Sequence, residues 1–255
     1  EPGKVVVEDR PMPTLLEPTD AVIKLAASCI CGSDLWPYRG AQPVDHQQMG
    51  HEYIGEVIEV GDDVKTVKPG DFVVGSFCIS CGECATCRDG YPSRCLKAIA
   101  AGDDSIGMRS NGTQAEYARI PFADGTLVKT PAYPTAEQIP HLMAASDVLG
   151  TGWYAADAAK AGPGKAIVVV GDGAVGLGAV IGAKQLGAEK IIMMSRNPKR
   201  QELAKQFGAT HVVEERGEEG IAKVLELTDG VGAHGVRVGA AVGVGGVVVE
   251  HGGGG

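Results

Sequence analysis

The sequence predicts an α/β fold in two parts: a mostly β domain over residues 1–150 and a doubly wound parallel sheet over residues 151–255. The first part holds all seven cysteines and most of the prolines, and its apolar runs are short and bounded by turn residues. The second part alternates short apolar runs with longer segments of helical character. The change of pattern near residue 150 therefore marks the predicted domain boundary.

In the first part, β-branched runs bounded by Gly, Pro or Asp are predicted as strands. These runs cover residues 5–9, 20–27, 53–61 and 71–76. The sequence Val-Lys-Pro-Gly-Asp at 67–71 predicts a turn between the last two of them. Short strands separated by turns predict a domain whose functional residues lie on loops.

The second part predicts a β-α-β-α-β unit, which is half of a doubly wound sheet. Continuous apolar runs typical of buried parallel strands alternate with segments that begin at Pro or end at Gly, as helices do. The strands are predicted at 166–170, 190–194 and 210–214, and the helices at 178–187, 198–207 and 218–228. A further helix at about 151–161 is predicted to join the two parts.

Residues 230–255 consist almost entirely of Gly, Ala and Val. Two more strands are predicted there, at 232–239 and 245–252, with too few residues between them for a normal helix. The second half of the sheet is therefore predicted to be incomplete. We expect this sequence to be an incomplete or uncertain rendering of a longer protein; the alternative is a chain that is truly truncated.

The overall charge and hydrophobicity exclude two classes of partner. The net charge of −9, from 23 basic and 32 acidic side chains, disfavours binding to nucleic acid. No uncharged apolar run reaches the length of a membrane span, and the start lacks the pattern of a secretion signal. We therefore expect a cytoplasmic protein that binds neither nucleic acid nor membrane.

The most specific motif is a cluster of four cysteines with the spacing C-x2-C-x2-C-x7-C. Its members are Cys81, Cys84, Cys87 and Cys95. Four thiolates this close suit a tetrahedral structural zinc, and disulfides or a chance cluster are the alternatives. Such a closed site has no open position for chemistry, so the metal is predicted only to hold its loop. Cys29 and Cys78 are interpreted as structural.

A second set of candidate ligands is scattered along the chain: Cys31, His51, Glu52 and Asp147. Each could be ordinary alone, since a lone buried thiol is usually inert and Asp147 could simply cap a helix. Together, Cys, His and carboxylate side chains are zinc ligands, and three protein ligands leave a fourth position for water or substrate.

The sequence Gly171-x-Gly173-x-x-Gly176 directly follows a predicted strand and opens a helix, which is the context of a dinucleotide-binding loop. The first glycine allows the turn, the second lets the backbone approach a pyrophosphate, and the third lets the helix pack on the strand. Val175 lies in the same loop and is a further candidate for contact with the cofactor. A glycine-rich turn without a ligand is the alternative.

The end of the second strand of this unit predicts which nicotinamide cofactor is preferred. An NAD-binding site would place Asp or Glu there, whereas this chain has Ser195 and Arg196, with Arg200 one turn later. Guanidinium groups can pair with a 2′-phosphate, so NADP is expected over NAD, although NAD stays possible. A solvated basic helix start is the alternative.

These motifs, in this order and with these separations, resemble the zinc-containing medium-chain alcohol dehydrogenases. They are CGSD at 31–34, GHE at 50–52, the four-cysteine spacing at 81–95, SDVLGTG at 146–152 and GDGAVG at 171–176. The resemblance covers about residues 1–229. It implies a GroES-like catalytic domain, a Rossmann-like nucleotide domain, two zinc ions per chain, an alcohol or carbonyl substrate and a homodimer or homotetramer.

The resemblance also implies roles for single residues of the catalytic domain. Cys31, His51 and Asp147 correspond to the catalytic zinc ligands, and Glu52 to a carboxylate that ligates or swings onto the zinc. Ser33 corresponds to the hydroxyl that contacts the substrate oxygen and relays its proton. Asp34 corresponds to the carboxylate that orients the His51 imidazole.

For the nucleotide, the resemblance places Thr151 near the nicotinamide, and Ser195 and Arg196 at the 2′-phosphate. The chain departs from the family at Trp36, where many members have the His that forms the outer end of the proton relay. Two alternative functions stay open: a zinc-free quinone or enone reductase of the same superfamily, and a non-catalytic protein that binds a cofactor or has a structural role.

Overall fold

The computed structural model describes residues 2–43, 46, 48–100 and 112–238. The chain divides into two compact units, with the boundary between Asp147 and Val148. None of the helices in this described part is long and apolar enough to cross a lipid bilayer.

The first unit is built on an antiparallel sheet. Its strands are β1 Ala21–Cys29, β2 Glu52–Val60, β3 Phe72–Gly75, β4 Tyr117–Ile120 and β5 Leu127–Lys129. They pair in the order β4-β1-β2-β3-β5, and the register between β1 and β2 shifts at two bulges. Successive side chains point to opposite faces, so Val73 joins one core cluster while Phe72 joins another.

Short helices lie in the segments that connect or follow these strands. They are α1 Leu35–Tyr38, α2 Ala85–Arg88, α3 Leu96–Ala100, α4 Ala123–Thr126 and α5 Ile139–Met143, with 3-10 turns at Gly32–Asp34 and Pro92–Arg94. Ile139, Leu142 and Met143 of α5 pack against Ile54 and Phe72, so this helix covers one face of the sheet.

The strand predicted at 5–9 is absent, and this prediction was wrong. In the described part of the chain, residues 5–9 form neither helix nor strand, and Val5, Val6 and Val7 are exposed by 57%, 54% and 102%. A β-branched run becomes a strand only when a neighbouring strand satisfies its backbone groups. The predictions at 20–27, 53–61 and 71–76 are confirmed as β1, β2 and β3 within one or two residues.

The second unit is a parallel sheet with helices on both faces. Its strands are β6 Ala166–Val170, β7 Lys190–Met194, β8 His211–Val213 and β9 Gly235–Val238, and its helices are α6 Val148–Ala158, α7 Ala174–Gln185, α8 Pro198–Phe207 and α9 Gly217–Leu227. The strand order is β8-β7-β6-β9. The order reverses at β6, and ligands of such sheets bind at the carboxyl ends of the strands beside this reversal.

This unit confirms the β-α-β-α-β unit predicted from the sequence, and with the antiparallel sheet it confirms the α/β fold class. Ile167 and Val169 face one core cluster, together with α7, whereas Val168 faces another, together with α9. Burial on both faces explains why the strands read as continuous apolar runs. The predicted strand at 232–239 appears as β9, and the one at 245–252 lies outside the described residues.

Helices α6 and α7 meet through glycine. A Cβ added to Gly152 of α6 would lie 2.5 Å from the backbone nitrogen of Ala179, and one added to Gly182 of α7 would lie 3.0 Å from the Cα of Trp153. The first separation is shorter than real Cβ atoms show and the second is unusually tight, so the two helices approach backbone to backbone.

Candidate functional site

The structure brings together the four scattered candidate ligands of the first unit. One ligand atom from each of Cys31, His51, Glu52 and Asp147 lies within 4.8 Å of the others. Asp147 Oδ2 is 3.5 Å from His51 Nε2 and 3.9 Å from Cys31 Sγ. Ligand atoms around a tetrahedral zinc with bonds of about 2.0–2.3 Å lie roughly 3.3–3.8 Å apart, so this donor set fits zinc.

Different parts of the fold position these ligands. Cys31 directly precedes the 3-10 turn Gly32–Asp34, Glu52 begins β2, and Asp147 directly precedes α6. The buried Ser146 hydroxyl donates to the carbonyl of Gly75 at 2.6 Å and accepts from the backbone nitrogen of Tyr53 at 2.9 Å. This serine thus ties the segment before Asp147 to β2 and β3. No pattern in the sequence around Ser146 predicts this role.

Asp34 is buried beside two of the ligands, Cys31 and His51. Its Oδ2 accepts from the Cys31 backbone nitrogen at 2.8 Å, and its Oδ1 is 3.3 Å from His51 Nδ1. His51 Nδ1 is buried, and its alignment falls short of a hydrogen bond despite that distance. The imidazole therefore directs Nδ1 toward one carboxylate and Nε2 toward the ligand group, as in carboxylate–histidine–zinc sites.

The ligand group favours a cation. Burial lowers the pKa of His51, but the Asp147 and Asp34 carboxylates and Cys31 outweigh it and raise that pKa to about 12. Burial and then repulsion by Asp147 raise the pKa of Glu52. A buried group of this kind needs a positive charge, which a proton on His51 or a metal ion can supply.

Replacement of Asp34 by Asn is expected to weaken zinc binding at this group by about 10–100-fold, since loss of an outer carboxylate typically costs that much. Zinc affinity would be measured by competition with a chelator. Asp62→Asn is the matched control, because Asp62 is exposed and lies outside the group. Unchanged affinity in the Asp34 variant would contradict its orienting role.

The four clustered cysteines also come together. One sulfur from each of Cys81, Cys84, Cys87 and Cys95 lies within 4.8 Å of the others, and all four thiols are free. Cys84 Sγ is 3.4 Å from Cys87 Sγ and 4.0 Å from Cys95 Sγ. Sulfurs around a tetrahedral zinc, at about 2.3 Å from the metal, lie roughly 3.8 Å apart, so this group fits zinc.

Backbone N–H groups point at these sulfurs and favour thiolates at Cys84 and Cys95, whereas burial raises the pKa of the Cys87 thiol. Cys95 Sγ accepts from the backbone nitrogens of Cys81 at 3.3 Å and Ala98 at 3.5 Å. Hydrogen bonds from the Thr86 hydroxyl and the Cys87 backbone lower the pKa of Cys84 to about 5. Thiolates are the metal-binding form of cysteine, so the loop is prepared for a cation.

In the second unit, the glycine loop has the geometry that its sequence predicts. Gly171 has a φ of +103°, which L side chains rarely adopt. A Cβ on Gly176 would lie 2.0 Å from the carbonyl oxygen of Gly171, whereas a Cβ on Gly173 would meet no atom within 4 Å. Gly173 thus leaves open space at the N-terminus of α7, where backbone N–H groups favour an anion such as a pyrophosphate.

Two substitutions in this loop are expected to separate binding from folding. Gly173→Ala should keep the melting temperature within about 2 °C, because the added carbon meets no protein atom, and should weaken dinucleotide binding at least about tenfold. Gly176→Ala should lower stability, since its Cβ would collide with backbone. Calorimetric titration and thermal melting would measure both effects. Unimpaired binding by Gly173→Ala would contradict the loop assignment.

Two of the side chains predicted to bind a phosphate, Ser195 and Arg200, are hydrogen-bonded to Asp172. The Ser195 hydroxyl donates to Asp172 Oδ2 at 2.6 Å, and Arg200 Nη1 donates to Asp172 Oδ1 at 2.9 Å. Ser195 is fully buried, while Arg196 is exposed. The parallel pairing of Val170 with Met194 brings the ends of β6 and β7 together, and this register is the signal that could have revealed Asp172.

The other predicted residues have the following places. Ser33 is half-buried in the 3-10 turn Gly32–Asp34, and Trp36 is 36% exposed in α1. Thr151 lies in the first turn of α6, and Val175 is the second residue of α7; both are half-buried.

Two protein-family models match the chain. The model described as alcohol dehydrogenase GroES-like domain matches residues 17–132, and the one described as zinc-binding dehydrogenase matches residues 174–245.

Curated proteins and solved structures resemble the chain over most of its length. A zinc-type alcohol dehydrogenase B of Aspergillus flavus is 40% identical over 243 residues, which cover 92% of this chain and 55% of that protein. A medium chain reductase/dehydrogenase of Acremonium sp is 37% identical, covering 92% of this chain and 81% of that protein. The solved alcohol dehydrogenase TADH from Thermus sp. ATN1 has 33% identity and a TM-score of 0.80, covering 93% of this chain and 68% of that chain. The chain thus spans about half the length of the Aspergillus relative.

Proposed function

The chain belongs to the zinc-binding medium-chain dehydrogenase family, and from this premise we propose that it is a zinc-dependent oxidoreductase. In the proposed reaction, a hydride passes between an alcohol, or the matching aldehyde or ketone, and a nicotinamide cofactor. The observation that carries the proposal is the convergence of Cys31, His51, Glu52 and Asp147 on one point. A zinc-free reductase would need none of these ligands.

We assign the two parts of the chain to different tasks. The first unit, which ends at Asp147, would be the GroES-like catalytic domain, with the four-cysteine loop as its structural zinc lobe. The second unit, which begins at Val148, would be the Rossmann-like domain, with the dinucleotide on Gly171, Gly173, Val175 and Gly176 and with Thr151 toward the nicotinamide. The two ligand groups support a content of two zinc ions per chain.

The side chains of the group that contains Cys31, His51 and Asp147, and those beside it, would hold and orient the reactants. Cys31, His51 and Asp147 would hold the catalytic zinc, with Glu52 as a further carboxylate that can approach it. Bound zinc would act as a Lewis acid that lowers the pKa of an alcohol hydroxyl, and the nicotinamide would accept the hydride. Asp34 keeps His51 oriented through Nδ1. Ser33, one residue before Asp34, would accept the substrate's proton and pass it outward.

The proposal concerns substrate class as well as reaction. The names of related proteins point to small alcohols and carbonyl compounds: an alcohol dehydrogenase of Cupriavidus necator, a glutathione-independent formaldehyde dehydrogenase of Pseudomonas aeruginosa and an L-threonine 3-dehydrogenase of Bacillus licheniformis. We therefore propose a small-molecule alcohol or carbonyl substrate. The resemblance to the family is the basis for proposing a homo-oligomer, a dimer or a tetramer.

The test combines metal content with turnover. Elemental analysis of the purified protein is expected to find two zinc ions per chain, and a panel of primary, secondary and amino alcohols is expected to support nicotinamide reduction at 340 nm. One zinc per chain that stays at one after addition of zinc, with no turnover of any alcohol, would overturn the proposal. The non-catalytic alternative would then account for the cysteine lobe and the nucleotide loop.

A further inference from the structure

Asp172 occupies a position that bears directly on nucleotide choice. It lies between the first two glycines of the loop, two residues after β6, and its side chain is 19% exposed. Its two carboxylate oxygens are held by different partners, the Ser195 hydroxyl at 2.6 Å and the Arg200 guanidinium at 2.9 Å. These partners are two of the three side chains expected from the sequence to bind a 2′-phosphate.

We propose that Asp172 makes the protein select NAD over NADP, by binding the ribose hydroxyl and by engaging the side chains that would otherwise bind a 2′-phosphate. The inference rests on the proposed nicotinamide cofactor. It reverses the preference for NADP that Ser195, Arg196 and Arg200 suggest when their sequence is considered alone.

The Ser195 hydroxyl has no hydrogen left to donate to a phosphate. A serine hydroxyl has a single O–H to donate, and this one goes to Asp172 Oδ2. The Ser195 oxygen also accepts from the backbone nitrogen of Asn197 at 3.3 Å. Ser195 is fully buried, so loss of this hydrogen bond would leave its hydroxyl without water to replace the partner. A phosphate oxygen, which only accepts at neutral pH when fully ionised, would find no donor at this hydroxyl.

The charges of Asp172 and Arg200 also disfavour a 2′-phosphate at this place. Arg200 already pairs with Asp172, so its positive charge is largely balanced before a ligand arrives. A 2′-phosphate carries a charge of about −1.5 to −2 and would be repelled by the carboxylate. A ribose hydroxyl is uncharged and can donate to that carboxylate, which is how an acidic residue selects NAD in related folds. Arg196 is exposed, and solvent screens the attraction of an exposed cation for the phosphate.

The geometry also shows why the acidic residue can come from another strand. In the usual arrangement, Asp or Glu follows the second strand of the unit. Here that position is Ser195, and the carboxylate comes instead from the loop after the first strand. Because Val170 pairs with Met194 in parallel register, both positions lie at the same edge of the sheet. Asp172 therefore presents a carboxylate at the edge where the missing one would have stood.

The experiment measures the dissociation constants of NAD and NADP by calorimetric titration of the whole protein, without turnover. The native protein is expected to bind NAD at least about tenfold more tightly than NADP. Asp172→Asn is expected to shift this ratio at least about tenfold toward NADP. Because an Asn carbonyl could still accept from Ser195, Asp172→Ala is the second variant, and it should shift the ratio by at least as much.

Asp229→Asn is the matched control. Asp229 is exposed, and its Oδ2 lies 3.5 Å from Lys190 Nζ, at the residue where β7 begins. The substitution Asp229→Asn therefore removes the same charge as Asp172→Asn, but at the opposite end of the strands. Its ratio of affinities should equal that of the native protein.

Each outcome has a distinct meaning. Tighter binding of NADP by the native protein overturns the inference, and so does an unchanged ratio in both Asp172 variants, while the proposed cofactor survives either result. Failure of the native protein to bind either nucleotide overturns the proposed function and this inference with it. A shift confined to the Asp172 variants supports the inference.

Discussion

Replacement of Asp147 by Ala is expected to remove one zinc ion per chain and to lower kcat/KM for alcohol oxidation by at least about 10³-fold. Asp147 Oδ2 lies within 4 Å of both His51 Nε2 and Cys31 Sγ, so it borders both other ligands. A Lewis-acidic zinc is worth several kcal/mol at the transition state, and about 4 kcal/mol corresponds to a factor of about 10³. Elemental analysis and steady-state kinetics would measure the two effects on the same sample.

A second ligand, Cys31, can be tested with a matched control only two residues away, at Cys29. Cys31→Ala should reproduce the loss seen in the Asp147 variant, whereas Cys29→Ala should retain both zinc ions, because Cys29 ends β1 and lies outside the ligand group. Native turnover by either ligand variant would show that this group is not the catalytic zinc site.

Replacement of Cys95 by Ala is expected to remove the other zinc ion and to lower the melting temperature by more than about 10 °C. Loss of a structural metal belongs to the mechanisms that cost more than about 4 kcal/mol, and each kcal/mol shifts the melting temperature of a chain this size by about 2–4 °C. Among the side chains that the structure describes, the core cluster of this lobe contains Ile79, Ala98 and Phe122 besides the cysteines, which is a small apolar core.

Cys78→Ala is the matched control for this experiment. Cys78 is buried to a similar extent but lies outside both ligand groups, so its loss should cost about 1 kcal/mol and leave the zinc content unchanged. Thermal melting and elemental analysis would be run on both variants. A Cys95 variant with native stability would show that the lobe folds without metal.

The parts of the fold that the sequence predicted well depend on local signals. Residues 190–194 form β7 and residues 198–207 form α8, with the predicted bounds. An apolar run marks the strand, Pro198 stands at the first helical turn, and Gly208 follows the last residue. The run at 5–9 carries an equally strong local signal but no neighbouring strand among the described residues, and pairing cannot be read from composition.

The candidate site was predictable only as a set. Cys31, His51 and Asp147 each have ordinary explanations, and no spacing rule connects residues so distant in the sequence; the resemblance to a known family united them. The role proposed for Asp172 in nucleotide selection could not be predicted from the sequence, because it depends on a tertiary contact. The side chains of Asp172 and Ser195 meet across two paired strands, and the pattern of a single segment contains no information about that contact.

The glycine contact between α6 and α7 has a mechanical consequence. Flexible side chains normally cushion a helix–helix interface, but here Gly152 and Gly182 let the two backbones touch, so the interface has little compliance. Thr151 is adjacent to that contact, and α7 grows directly from the glycine loop. We therefore expect a displacement of the loop to move Thr151 with it, so that the distance between the two places proposed to bind the ends of a dinucleotide changes little.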